Sequence, residues 1–334
     1  MKTNENAPDT APGTTSGTTM ETPFRRIWDR AGILVILVAL LAGSAIFVPN
    51  FLSGTNLIYS LGLSLTTTGI VACGMLFALA AGDFDLSVGS VAAFGGMVAA
   101  VLLSKGMGPV PAVVLALLSG LVIGAINGFV IAVCGVNALI ATLATMQIVR
   151  GLAYLLNDGN SIGVSDAGFA FLGTGAPLGV PMPLWTLALC LVLFGLLLHR
   201  TVYGRNSLAI GGNREAAHLA GVPTRGVQIA IFATMSMLAA LAGVVSTAQQ
   251  QLGDPKTFQG LELRVISACV LGGVSLTGGV GSVGHVVVGV LIMGTVQNVM
   301  DLKSVPTFYQ YLVSGAILLA AVLLDRLKTR GAKI

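Results

Sequence analysis

Residues 109–133, PVPAVVLALLSGLVIGAINGFVIAV, form an apolar run without a single charged side chain. A helix of this length is long enough to cross the roughly 30 Å hydrocarbon core of a bilayer. Glycine is abundant in the chain, at 44 of 334 residues, and small residues let membrane helices pack closely. This stretch therefore predicts a membrane-spanning helix.

The whole chain has the composition of a membrane protein. It is 55% hydrophobic and only 9% charged, with a mean hydropathy of +0.91, which soluble domains of this length do not show. We expect an all-α bundle in which about ten helices cross the membrane, some of them broken into half-helices by Gly or polar residues. The apolar runs are 31–48, 57–80, 88–104, 109–133, 137–156, 183–199, 227–247, 263–277, 283–300 and 307–324.

Lysines and arginines set the expected orientation, because basic residues collect on the cytoplasmic side of a membrane protein. With the N-terminus inside, only Lys105, Lys256 and Lys303 fall clearly outside. Both termini and the 200–226 connection are then predicted to be cytoplasmic. The basic residues predicted inside are Lys2, Arg25, Arg26, Arg30, Arg200, Arg205, Arg214, Arg225, Arg326, Lys328, Arg330 and Lys333.

The two ends of the chain are predicted to be tails. Residues 1–26, rich in Thr, Pro, Gly and Ser, predict a disordered cytoplasmic tail. The first apolar run begins near Ala31 and is long enough to span, which favours a retained helix over a cleaved signal peptide. The predicted transmembrane domain covers 27–326, and a second cytoplasmic tail covers 327–334.

The most polar interior stretch is GRNSLAIGGNREAAHLAGVP, residues 204–223. Asn213 suits an N-cap, Glu215 is favoured in a first turn, and Gly221 suits the left-handed position after a helix. The pattern predicts a helix of about two turns over 214–220. A helix this short is marginal alone in water, so we expect contact with another protein to stabilise it.

Two acids, Asp83 and Asp85, lie in GDFDLSVGS, a Gly- and Ser-rich break between apolar runs. Buried carboxylates are costly unless they face water, pair with a cation or cap a helix. In one interpretation Asp83, Asp85 and Ser87 belong to a hydrated path or gate built from a broken helix. In the other, Asp85 and Ser87 cap the next helix and keep the turn at the membrane edge. The sequence leaves both open.

Other polar residues also interrupt apolar runs. Arg150, in ATMQIVRGLAYLL, would line a hydrated path or gate, snorkel to the surface or form a structural pair, and we favour the last two. Amide side chains within or beside helices would bond either sugar hydroxyls or neighbouring helices, and we favour interhelical bonds. These amides are Asn127, Asn137, Gln147, Gln297 and Asn298.

The chain lacks the motifs of an enzyme. No lysine stands in a G-x-x-x-x-G-K-[ST] loop, so no ATP site is expected here. The histidines form no H-E-x-x-H pair, and no Cys or carboxylate cluster has metal-ligand spacing. The four cysteines lie in or beside apolar runs, as buried small hydrophobes do. We therefore expect no catalytic residue, cofactor or metal in this chain.

A weak internal repeat relates GDFDLSVGS at 82–90 to GGVSLTGGVGS at 272–282. Each follows one apolar helix and precedes another. This pattern indicates a duplicated architecture, with chance similarity in a Gly-rich chain as the alternative.

In combination and in order, these motifs resemble the sugar-permease subunits of bacterial ATP-binding-cassette importers, the ribose-type branch. GDFDLSVGS is similar to that family's GGIDLSVGS, the 204–223 stretch to its large cytoplasmic loop, and CVLGGVSLTGGVGSVGHVVVGVLIMGTVQN to its C-terminal region. CGMLF at 73–77 and ATLATMQIVRGLAY are most similar to L-arabinose permeases, whereas the 248–262 region departs from them. The resemblance covers nearly all of the chain after the N-terminal tail.

The resemblance implies the permease subunit of an importer that carries a monosaccharide, with L-arabinose expected, from periplasm to cytoplasm across the bacterial inner membrane. In this family an E-A-A-x-x-x-G loop contacts the ATPase, and Glu215, Ala216, Ala217 and Gly221 fit it residue by residue. The implied partners are an ATPase subunit with two cassettes, which uses the ATP, a periplasmic sugar-binding protein and a second copy of this chain.

Two rival functions come from other classes. A secondary transporter driven by a proton or sodium gradient would use Asp83 or Asp85 as its coupling acid. A structural or assembly subunit would use the 204–223 stretch only to anchor a partner. Dependence of transport on a separate ATPase distinguishes the three.

Overall fold

The computed structural model describes the backbone of residues 23–331 and the side-chain surroundings of residues 32–323. The described chain is almost entirely helical, which confirms the all-α prediction. Its α-helices are α1 (Pro23–Phe47), α2 (Leu63–Ala80), α3 (Val88–Ser104), α4 (Pro109–Ala132), α5 (Ala138–Leu155), α6 (Ala167–Thr174), α7 (Met182–Arg200), α8 (Val202–Gly212), α9 (Arg214–Leu219), α10 (Thr224–Gln250), α11 (Leu261–Gly272), α12 (Val283–Leu302) and α13 (Thr307–Gly331). The shorter elements are a π-helical segment (Asn56–Gly62) that runs into α2, a 3₁₀ turn (Pro177–Gly179) and the antiparallel strands β1 (Ile162–Gly163) and β2 (Leu252–Gly253).

Each predicted apolar run coincides with a helix. In the described part of the chain, six helices are long and apolar enough to cross a membrane: the continuous segment Asn56–Ala80, then α4, α5, α7, α10 and α12. Shorter apolar stretches lie in α1, α3 and α13, so the total of about ten spans stays a prediction. Of the predicted tails, 23–26 belongs to α1 and 327–331 to α13, and the remainder lies outside the described residues.

The centre of the bundle is formed by α2 and α10. From Ile70 to Ala80, the side chains of α2 are at most 1% exposed. Most of α10 is likewise buried, whereas few residues of α5 and α7 are buried, although these helices are also apolar. The bundle therefore encloses α2 and α10, together with most of α3, within helices that have exposed apolar faces.

Direct backbone contact joins α4 to α10. Gly120, Gly124 and Gly128 recur at every fourth position of α4 and all face α10. A Cβ on Gly124 would lie 2.2 Å from the carbonyl oxygen of Phe232, and one on Gly120 would lie 2.6 Å from that of Ser236. Only glycine allows an approach this close, which is how small residues promote packing in membranes.

Two helices, α3 and α11, begin inside the bundle. With 12 residues, α11 is about 18 Å long, far short of the roughly 30 Å apolar core of a bilayer. The start of α11 contacts the first turn of α3. The contact is close: a Cβ on Gly89 would lie 2.6 Å from both the Phe258 carbonyl oxygen and Glu262 Oε2. One turn later, the backbone of Ala92 packs on Gly243, in the C-terminal half of α10. This arrangement agrees with the expected half-helices.

Two helices occur in segments without a spanning apolar run and were not predicted. In the 157–182 connection, α6 packs against the end of α10, where a Cβ on Gly173 would lie 2.0 Å from the Gln249 amide. The other, α8, precedes α9 and contacts the end of α2 through Gly211 and the Ala80 carbonyl group. Short helices without a spanning apolar run give no hydropathy signal.

The two segments of the weak repeat meet beside α8. The Gly279 amide donates a hydrogen bond to the Ala80 carbonyl group at 2.9 Å, just before the 82–90 segment begins. The first segment leads to the buried start of α3, whereas 272–282 is a glycine-rich turn between α11 and α12. Proximity does not test duplication, which stays a prediction.

The glycines of α4 provide a test of the packing. We expect Gly124→Ala to lower the thermal unfolding midpoint in detergent, because overpacking costs about 1–3 kcal/mol. The matched change is Gly151→Ala on α5, where an added Cβ meets no atom within 4 Å and stability should be unchanged or higher. Fluorescence-detected size-exclusion after heating measures both midpoints, and equal midpoints would contradict the close packing of α4 on α10.

Candidate functional site

The start of α9 confirms the short helix predicted over 214–220. Asn213 Oδ1 accepts a hydrogen bond from the Ala216 amide at 2.9 Å, as an N-cap side chain does. Glu215 lies in the first turn, where a negative charge is favoured by the unpaired amides. The residues at the beginning of this helix therefore stabilise it locally.

The end of α9 is also closed by the chain itself. Gly221 has a φ of +83°, a left-handed conformation in which a side chain is strained. The amides of Gly221 and Val222 donate to the carbonyl groups of His218 and Ala217, respectively, at 3.0 Å each. This pair of bonds is the Schellman motif. Both ends of α9 are therefore capped by the chain itself, and its further stabilisation by another protein stays a prediction.

The side chains of α9 divide into an anchor and an exposed surface. Ala217 is buried in the main core, whereas Glu215 and Ala216 are exposed and Leu219 is 82% exposed. A cleft of about 870 Å³ lies next to this surface. It is lined by Ala132 at the end of α4 and by Arg214, Glu215, His218, Gly221, Val222, Pro223, Thr224, Arg225 and Gly226. The predicted coupling residues thus lie on or beside an open surface that carries both polar and apolar groups.

A chain of hydrogen bonds links α9 to the loop between α2 and α3. Arg214 Nη2 donates to Gln228 Oε1, and Gln228 Nε2 donates to Asp83 Oδ2 at 2.6 Å. Burial raises the pKa of the Asp83 carboxyl, while the hydrogen bond from Gln228 and the positive charge of Arg214 lower it. We call Arg214, Gln228 and Asp83 the relay.

Asp85 lies in a buried polar cluster. Its Oδ1 accepts hydrogen bonds from the Ser87 amide and hydroxyl at 2.6 Å each. Asn127 Nδ2 donates to Ser87 Oγ at 3.2 Å, and Thr145 Oγ1 donates to Asn127 Oδ1 at 2.5 Å. The cluster therefore joins the 82–87 loop to α4 and α5. Asp85 Oδ2 has no partner among the described residues.

The capping interpretation is contradicted for the Ser87 side chain, whereas Asp85 does accept a hydrogen bond from the backbone amide of Ser87 immediately before α3. Ser87 precedes α3, but its side chain accepts no capping hydrogen bond from that helix. Both residues are fully buried, so the turn is enclosed by helices rather than held at an exposed edge. The sequence could not show this, because the enclosing side chains come from α4 and α5.

Arg150 forms one of the two arrangements that we favoured, a structural pair. Its Nη1 donates to the carbonyl groups of Pro255 and Thr257 at 2.7 and 2.8 Å. The structural pairing that we favoured is therefore with backbone oxygens. Arg150 fixes the loop that leads into α11, where Glu262 contributes a nearby negative charge.

Three of the other intramembrane amides, Asn127, Gln297 and Asn298, bond neighbouring helices or segments as predicted, whereas Asn137 and Gln147 do not. Asn298 and Asn56 exchange two hydrogen bonds of 2.8 and 3.0 Å between α12 and the π-helical segment. Gln297 donates to Gln310 of α13, and Asn137 caps α5. Gln147 makes no hydrogen bond to another residue of 32–323, and it lines a small cavity with Arg150.

Sequence reasoning missed the residues whose role depends on distant contacts. Gln228 and Glu262 stand in no motif, and only the folded chain brings them to Asp83 and to the start of α3. In the sequence, the one feature that could have indicated a role for Glu262 is its position as a charged residue beside an apolar run. Within residues 32–323, no group of three His, Cys, Asp or Glu side chains is placed to hold a metal ion.

Comparison with known proteins gives a consistent assignment. Residues 56–322 match the family model described as branched-chain amino acid transport system / permease component. The chain is 51% identical to the L-arabinose transport system permease protein AraH of Escherichia coli (strain K12), over 93% of this chain and 94% of the relative. It is 48% identical to the L-arabinose ABC transporter permease protein AraH of Azospirillum brasilense, over 89% and 88%.

A more distant relative comes from another branch of sugar transport. The chain is 40% identical to the ribose import permease protein RbsC of Bacillus subtilis (strain 168), over 89% of this chain and 91% of the relative. No solved structure matches the chain significantly. The match over residues 56–322 and the extended similarity to these relatives show that the chain belongs to the family of permease components of membrane transport systems.

Proposed function

We propose that the chain is the membrane-spanning permease subunit of an ATP-driven importer that moves L-arabinose from periplasm to cytoplasm. The observation that carries this proposal is the capped and exposed α9, which offers a preformed surface to a separate ATPase. The substrate rests on similarity to permeases named for L-arabinose. The chain needs no ATP or other cofactor of its own, because the partner hydrolyses ATP.

The proposed assembly contains two copies of this chain, an ATPase subunit with two cassettes and a periplasmic sugar-binding protein. The chain lies in the bacterial inner membrane with both termini in the cytoplasm. The arginines around α9 support this orientation, since basic residues favour the cytoplasmic side. Glu215, Ala216 and the exposed face of α9 contact the ATPase, while Ala217 anchors the helix to the permease core.

Force generated by the ATPase travels from α9 through the relay. Movement of Arg214 pulls on Gln228, and Gln228 is bonded to Asp83 in the loop that precedes α3. Asp85 and Ser87 lie in the same loop and connect it to α4 and α5. A coupling element of this kind must have two discrete arrangements. In this proposal Asp83, Asp85, Ser87 and Arg150 form the gate of the sugar path.

Reconstitution in liposomes tests the proposal against its rivals. With the ATPase, the sugar-binding protein and ATP on the α9 side, we expect uptake of labelled L-arabinose; the permease alone should give none. Uptake that persists without the ATPase and collapses with an ion gradient would establish the secondary-transporter alternative. That alternative is not favoured, because a relative of this chain is named as an ABC transporter permease.

The end of α9 provides a test of ATPase binding. We expect Gly221→Ala to weaken association with the ATPase about tenfold, because a side chain in the left-handed region costs about 1–2 kcal/mol. Gly226→Ala is the matched control, since Gly226 lines the same cleft but has no positive φ and no atom near an added Cβ. Copurification from membranes measures both, and equal association of the two variants would argue against a coupling role for α9.

The relay is tested by removing its central amide. We expect Gln228→Met to retain ATPase association and ATP hydrolysis but to lower sugar transported per ATP by roughly fivefold or more. The control is Gln250→Met on the same helix, because the Gln250 side chain bonds Ser246 of α10 and no other residue of 32–323. Parallel uptake and phosphate-release assays give the ratio. A normal ratio for Gln228→Met, or equal losses in both variants, would remove the relay from the coupling mechanism.

A further inference from the structure

We propose that a small cavity between α3, α5 and the start of α11 is a monosaccharide-binding site within the permease itself. The cavity has a volume of about 230 Å³. Sites for drug-sized ligands begin at roughly 300 Å³, so this cavity suits a smaller molecule. It is lined by Ser90, Gln147, Arg150, Tyr154, Gln259 and Glu262, among others. This inference rests on the proposed sugar transport and assigns it a binding site.

The lining side chains have unused hydrogen-bonding capacity. Ser90, Gln147 and Gln259 make no side-chain hydrogen bond to another residue of 32–323; Ser90 is only 2% exposed, whereas Gln147 and Gln259 are exposed. Arg150 uses only Nη1 for the two backbone carbonyl groups in this part of the chain. The donors and acceptors around this cavity are therefore available to a polar ligand or to water.

The chemistry of the lining fits a neutral polyhydroxyl ligand. A hydroxyl group both donates and accepts, so it can bond the donor-only guanidinium of Arg150 and the acceptor carboxylate of Glu262. The amides of Gln147 and Gln259 offer both functions. Because the two charges are of opposite sign, the site favours no simple anion or cation. The ring of Tyr154 adds an apolar surface of the kind that packs on the C–H face of a sugar.

The position of the cavity fits a site on a transport path. It lies where the first turns of α3 and α11 meet inside the bundle, next to the 82–87 loop of the relay. Gln259 also lines a second, polar cavity of about 530 Å³, so the two cavities adjoin at this residue. A sugar in the smaller cavity would contact α3 directly, at the element that the relay is proposed to move.

Filling the cavity provides the test. Gln147→Trp adds a large ring to the cavity, whereas Ile148→Trp adds the same ring at the neighbouring position, which is 63% exposed and does not line the cavity. Both full-length variants are assembled with the ATPase in nanodiscs without the sugar-binding protein. Saturation-transfer difference NMR with L-arabinose, and separately with D-ribose, measures direct contact. Uptake by the complete transporter in liposomes measures function.

We expect sugar signal with the unmodified complex and with Ile148→Trp, and loss of most of that signal with Gln147→Trp. Uptake should fall at least about tenfold for Gln147→Trp alone, while copurification of the ATPase stays normal. Glu262→Gln, which keeps the shape of the side chain, should raise the sugar concentration needed for half-maximal signal. Unchanged signal and uptake in Gln147→Trp, or equal losses in both tryptophan variants, would overturn the site. Failure of the unmodified transporter to import either sugar would instead overturn the proposed function.

Discussion

The backbone contact between α4 and α10 is the constraint on which the other features depend. Lipid tails are as apolar as leucine, so membrane helices gain little from hiding apolar side chains and associate largely through close packing. The glycine stripe of α4 lets α10 approach to backbone distance, which fixes the longest enclosed helix of the bundle. Its N-terminal end then presents Gln228 to the relay, and its C-terminal half supports the start of α3. A shift of α10 would therefore disturb both the relay and the start of α3.

Interrupted helices expose backbone amides and carbonyl groups that lipid cannot satisfy. The chain surrounds both interruptions with protein. Asp85, Ser87 and Asn127 occupy the loop before α3, and the guanidinium of Arg150 binds two carbonyl groups of the loop before α11. Burying polar residues in an apolar bundle costs free energy. These polar residues are therefore concentrated where the backbone leaves its regular hydrogen-bonding pattern and needs partners.

Local chemistry made the helices and the caps of α9 predictable. Hydropathy identifies each long apolar run, and Asn213 and Gly221 mark the ends of α9 because capping depends on neighbours in sequence. Contacts between distant segments were not predictable. Arg150 was expected to snorkel or form a structural pair, but its partners lie more than a hundred residues away in the sequence and could not be named in advance. Gln228 carries no charge and no motif, so nothing in one sequence distinguishes it from an ordinary interhelical amide.

The central amide of the relay has a fixed orientation. A guanidinium can only donate hydrogen bonds and an ionised carboxylate can only accept them, so Gln228 must turn its oxygen toward Arg214 and its nitrogen toward Asp83. Rotating the amide by half a turn would set donor against donor and acceptor against acceptor. Withdrawal of Arg214 would leave a buried amide oxygen without a partner, a cost that is avoided only if Gln228 moves too. The three side chains therefore have a single fully hydrogen-bonded arrangement, which is made or broken as a whole.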